Sequence, residues 1–108
     1  MPNTRKRLYG PAQIATGPTT VYTTPALTKT ILRHIHVSNP SGSAVTLTIS
    51  IGADGVTTRI FGAYSIAANT VFDHFCLYIV DAAEIVTLSA GTNNILVIVI
   101  DGEENTLG

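Results

Sequence analysis

Apolar and polar residues alternate with a period of two along much of this chain. Val45, Leu47, Ile49 and Ile51 interleave with Thr46, Thr48 and Ser50, as in a strand with one face in a core and the other in water. The stretch Thr70 to Val80 alternates too, with Val71, Asp73, Phe75 and Leu77 on one side and Phe72, His74, Cys76 and Tyr78 on the other. No window keeps apolar residues at i, i+3, i+4 and i+7, and β-branched residues with Gly interrupt each attempt at a helix. Further strands are expected at Val21 to Thr23, Thr30 to Ser38, Thr57 to Phe61, Glu84 to Ser89 and Asn94 to Asp101, with Leu8 to Ile14 as an irregular edge containing Pro11. Asn39 to Gly42, Gly52 to Gly55 and Ala90 to Asn93 supply turns, and Tyr64 to Asn69 a longer connection. Seven to eight strands at this spacing predict an all-β fold, a single antiparallel β-sandwich or jelly-roll-like domain.

One segment breaks the alternation. Ile95, Leu96, Val97, Ile98, Val99 and Ile100 are apolar on both faces, so the strand needs cover on each side, and a second subunit is one source of it. The 108 residues suit one domain, residues 1–108, without a separate catalytic lobe. Residues 1–7 and 102–108 lack apolar pattern and are expected to be flexible arms, the first carrying Arg5, Lys6 and Arg7, the second Glu103 and Glu104.

Composition narrows the function. Charged residues make up only 12% of the chain and the net charge is −1, which offers a polyanion no general attraction and argues against specific nucleic-acid binding. The single cysteine, Cys76, excludes an internal disulfide framework and fits a buried thiol folded in a reducing cytosol. Apolar runs fall far short of a membrane span, and no signal peptide pattern follows the basic N-terminus.

Candidate chemistry is sparse. His34 and His36 stand two apart in a strand, placing both imidazoles on one face about 7 Å apart, but a metal needs a third ligand and His74 is the only other histidine. Neither a Gly-x-Ser-x-Gly elbow nor a motif around Cys76 marks a nucleophile. Asp73, Asp81 and Glu84 could serve as paired carboxylates, although Asp81 and Glu84 read as turn residues. Gly52, Gly55 and Gly62 lead into no helix and make no phosphate cradle. The reading is therefore a non-enzyme with no catalytic residue, cofactor or metal site.

Val21-Tyr22-Thr23-Thr24-Pro25, then Ile35 to Asn39, the Ser41 to Ser43 turn and the alternating strand Ala44 to Ile51, resemble small structural proteins of tailed bacteriophages. Ser65 to Thr70 and the closing Val97 to Gly102 extend the resemblance from about residue 8 to 104, and Thr24 stands where that pattern has an apolar residue. The resemblance implies a non-enzymatic virion component such as a head decoration, a connector accessory or a tail or fibre attachment protein, and with the apolar run Ile95 to Ile100 the reading is a subunit made in the host cytoplasm that self-associates, as a ring or trimer, and docks on other virion proteins at head, neck or tail. The alternative is a host-surface glycan-binding module of a phage tail or fibre, using Tyr64, Arg59 and Asn69.

Overall fold

Alternating Val, Ile, Leu and Thr residues form strands because a pleated chain sends successive side chains to opposite faces, and one face of each must then be covered. The computed structural model, which describes residues 3–106, resolves this into eight strands. They are β1 (Asn3–Gln13), β2 (Thr19–Thr23), β3 (Thr28–Asn39), β4 (Val45–Ile51), β5 (Arg59–Ile66), β6 (Thr70–Val80), β7 (Ile85–Ala90) and β8 (Val97–Thr106). One four-stranded sheet has the order β1-β8-β3-β6 and the other β2-β7-β4-β5, with every pairing antiparallel. The first four strands thus pair with the last four in reverse order, the winding of a jelly roll. The expected all-β jelly-roll sandwich is what the chain forms.

The inward rows meet in a core of Leu32, Ile35, Val37, Leu47, Ile49, Val86, Leu88, Leu96, Ile98 and Ile100. The apolar run near the C-terminus is therefore largely internal. Leu96, Ile98 and Ile100 are buried, and β8 lies between β1 and β3 rather than at an edge. Its outward residues Val97 and Val99 are half-buried, with Ser38 and His36 as their register neighbours on β3. Flanking strands of the same chain supply the cover that the sequence suggested a partner would give.

Both terminal stretches expected as arms are laddered together over their described residues; residues 1, 2, 107 and 108 lie outside the described range. Thr4 pairs with Glu104, Arg5 with Glu103, Lys6 with Gly102 and Arg7 with Asp101. Arg5 and Arg33 flank the buried Glu103 at 3.8 and 3.5 Å, and Lys6 reaches Glu104 at 3.4 Å. Gly102 is fixed by close approach, because a Cβ there would lie 2.2 Å from the Ile31 carbonyl oxygen. The charges that suggested solvated tails instead neutralise each other across a ladder.

Asn39 closes one end of the sandwich. Its amide nitrogen donates to the carbonyls of Ser43 at 2.9 Å and Ile66 at 3.0 Å, and its oxygen accepts from the Ser41 backbone N–H and hydroxyl. A buried amide satisfied in this way ties the β3–β4 turn to the end of β5. That strand starts later and runs further than the sequence suggested. Tyr64 and Ile66 belong to β5, and the preceding loop is widened by Asp54, which accepts from Ser50 and Arg59.

Strand β3 changes phase once. Thr28, Thr30 and Leu32 are buried, then Ile35, Val37 and Asn39, so the inward row skips three positions between Leu32 and Ile35. The register against β8 shifts at the same place, with Leu32 opposite Gly102 and His34 opposite Asp101. This is a β-bulge, and it sends both Arg33 and His34 outward.

Two outcomes follow. Thr24 is buried with its hydroxyl unpartnered, so Thr24→Val, which keeps the shape and removes the orphaned donor, is expected to raise the unfolding free energy by about 1 kcal/mol in urea titration. Tyr22 donates its phenolic hydrogen to Glu104 and accepts from Thr30 at 2.7 Å, and burial, then the Glu104 contact, pushes its pKa up to about 12. The unfolded chain releases that proton near pH 10 and the folded chain does not, so stability is full below about pH 10 and falls as pH rises towards 12. Urea midpoints through that window should fall in the wild type and less steeply in Tyr22→Phe.

Candidate functional site

Strand β6 pairs with β3 alone and leaves its other edge open along the sheet. Its inward row, Phe72, His74, Cys76 and Tyr78, packs against the core margin, while its outward row carries Val71, Asp73, Phe75, Leu77 and Ile79. Four of the outward residues are strongly exposed: Val71 at 61%, Phe75 at 75%, Leu77 at 70% and Ile79 at 58%. Scattered surface apolar residues are ordinary, but these four stand in one row of one edge strand, interrupted only by Asp73. Open edges are usually blunted with charge, proline or bulges. The opposite edge, β1, has such features: Pro11, three basic residues and two register shifts. Strand β6 has fewer, Asp73 on its outward face and one register shift against β3 between Phe75 and Tyr78.

Beside this row lies the polar part of the same face. The bulge in β3 places His34 and His36 outward, and the β3–β6 register sets His36 opposite Asp73. Asp73 Oδ1 accepts from His34 Nε2 at 2.9 Å and from His36 Nδ1 at 2.5 Å. The His36 contact, then the His34 contact, holds the Asp73 carboxyl below its usual range. Asp101 Oδ2 lies 3.8 Å from the other nitrogen of His34. Phe75 stacks on His34 with ring centroids 4.4 Å apart and planes 4° from parallel.

Other residues singled out from sequence are dispersed. His74 faces inward on β6, its ring near Phe61, Phe72 and Tyr78, away from the other two histidines. Glu84 accepts from the Asp81 backbone N–H at 2.8 Å and Lys29 holds Asp81 at 3.0 Å, the turn role expected for that pair. Arg59 binds Asp54 through two nitrogens at 3.0 and 3.2 Å, Tyr64 packs between Phe61 and Phe72, and Asn69 occupies a left-handed turn position with φ of 55°. Cys76 points inward, donates to the Leu32 carbonyl at 3.3 Å, and has its thiol pKa pushed up by burial. Sequence reasoning did not pair Asp73 with the histidines, because strand adjacency is invisible without topology. The outward β6 row was legible in the alternation, but its exposure was not.

The fold is similar to that of a subunit of Bacillus endospore appendages, described as a novel family of disulfide-linked pili, with a TM-score of 0.58 and 14% identity over 98% of this chain and 89% of that one. It is also similar to the tobacco streak virus coat protein in its dimer, with a TM-score of 0.52 and 7% identity over 98% of this chain and 87% of that one. At such identities the likeness is one of fold. No family model matches the chain, and no curated protein matches it in sequence.

The state of Cys76 is open to direct measurement. A half-buried thiol with a raised pKa carries little thiolate, so its reaction with a chromogenic disulfide reagent near pH 8 should be at least about tenfold slower than that of free cysteine. Unfolding in urea should restore the free rate.

Proposed function

We propose that this chain is a non-enzymatic structural subunit of a tailed-phage particle, which associates with copies of itself through β6 and docks on the head, neck or tail. The observation that carries the proposal is the row Val71, Phe75, Leu77 and Ile79, exposed on a strand whose outer edge is open. Both similar folds come from proteins of assemblies, a pilus and a coat protein dimer, which supports the same role here. The segments Val21 to Pro25 and Ile35 to Asn39 support the phage assignment by their resemblance to tailed-phage structural proteins.

The occupant that suits the edge is a second copy of the same strand. Antiparallel pairing of two β6 strands about a two-fold axis at Phe75 sets Phe75 against its own counterpart and Val71 of one copy against Ile79 of the other. The two β1-β8-β3-β6 sheets then become one continuous sheet. In that register the two rows become cross-strand neighbours on one outer face, with Leu77 opposite Asp73 of the other copy, and each aromatic or β-branched pair adds about 0.2–1 kcal/mol to the backbone hydrogen bonds of the new ladder. The sequence reading favours a ring or trimer; the open β6 edge favours a two-fold pair. The glycan-binding alternative has less support, since Arg59 is engaged by Asp54.

Sedimentation velocity at micromolar concentration tests the self-association. The wild type should sediment as a dimer or larger, and Leu77→Lys or Phe75→Lys, both at exposed positions, should give a folded monomer by circular dichroism. A wild type that remains monomeric up to hundreds of micromolar overturns self-association. Cosedimentation with purified phage heads and tails then tests docking, and binding to neither overturns the phage assignment.

A further inference from the structure

We infer that His34, His36 and Asp73 form a binding site for a divalent transition-metal ion of borderline softness, zinc above all. The inference stands on side chains of one copy and does not depend on self-association. The three residues each bring one donor atom, and these atoms lie within 4.8 Å of one another. With metal–ligand bonds of about 2.0–2.2 Å, a tetrahedral ion sets its ligand atoms about 3.3 Å apart. The contacts to Asp73 Oδ1, 2.9 and 2.5 Å, are shorter than that and the spread of the three donor atoms, up to 4.8 Å, is wider, so side-chain rotations that move ligand atoms by about 1–1.5 Å bring them to the tetrahedral spacing.

The surroundings fix the ligands in ways that an incidental surface pair does not require. Asp101 stands on the Nδ1 side of His34 at 3.8 Å. It lies just beyond hydrogen-bond distance, and a side-chain rotation of about 1 Å brings it to the position from which a carboxylate orients a ligating imidazole when Nε2 holds the ion. Phe75 stacks on the same ring and restricts its rotation. All three ligands come from paired strands, His34 and His36 from β3 and Asp73 from β6, so the site is carried on a sheet and not on a loop. The side chains are 26%, 36% and 40% exposed, which gives an ion access and leaves its fourth position to water.

Donor chemistry selects the ion. Two imidazoles and one carboxylate suit zinc, cobalt, nickel or copper, whereas calcium and magnesium prefer all-oxygen sets of six or more. Bound zinc would replace the ring protons now donated to Asp73 and bridge β3 to β6, the edge strand. Asp101 acts as a positioning residue, since it touches the ring and not the ion.

Isothermal titration of the untagged full chain with zinc chloride tests the site, with cobalt absorption as a second readout. One zinc per chain is expected, together with a tetrahedral cobalt spectrum. His36→Ala and Asp73→Asn should each weaken zinc binding at least about 100-fold, and Asp101→Asn about 10–100-fold, while circular dichroism shows each variant folded. Absence of stoichiometric binding in the wild type overturns the inference. So does binding that survives unchanged in both His36→Ala and Asp73→Asn, because the ion then sits elsewhere.

Discussion

A single extra residue in β3 decides what the outer face of this protein contains. With strict alternation from Thr28, Thr30 and Leu32, the side chains of His34 and His36 would point into the core, and Ile35 and Val37 would face out. The bulge at Arg33 reverses the phase, so the two apolar residues join the core and the histidines stand beside Asp73 and Asp101. Burying two imidazoles without partners would cost several kcal/mol. Hydrophobic burial on one side and the cost of dehydrating imidazole on the other both favour the bulged register. The outward position of His34 and His36 follows from that slip.

Much of this was legible in the residues. The β4 alternation and the two rows of β6 read correctly because period two is a local property, carried by each residue's hydropathy. Even the phase change in β3 has a trace in the sequence, since Leu32 and Ile35 are three apart where two would be expected. Long-range pairing was not legible. The run Ile95 to Ile100 looked like a surface awaiting a partner, but its place between β1 and β3 covers it. Arg5 to Arg7 and Asp101 to Glu104 looked like tails because charge without apolar alternation reads as solvated chain, and only their antiparallel register shows them as one ladder. Asp73 could not be joined to His34 and His36 for the same reason: they are nearly forty residues apart in sequence and adjacent only once β6 lies beside β3.

The oily surplus inferred from composition is real, but it lies on β6. There Val71, Phe75, Leu77 and Ile79 stand beside a charged and imidazole-rich neighbourhood on the same sheet. An apolar strip next to oriented polar groups gives direction as well as adhesion, since it restricts which surfaces can approach without stranding a charge. Chemistry of the catalytic kind finds less room. Cys76 is inward with its thiolate disfavoured, and Asp81 and Glu84 are engaged at their turn.

The asymmetry between the two borders of the β1-β8-β3-β6 sheet sets a valence. Proline, basic side chains and two register breaks make the β1 border a poor template, while the β6 border carries one register break and an exposed apolar row. A sheet with one adhesive border can be extended once by its own kind and then has none left to offer. Pairing through the β6 border alone closes at two copies, so growth beyond a pair takes a different contact.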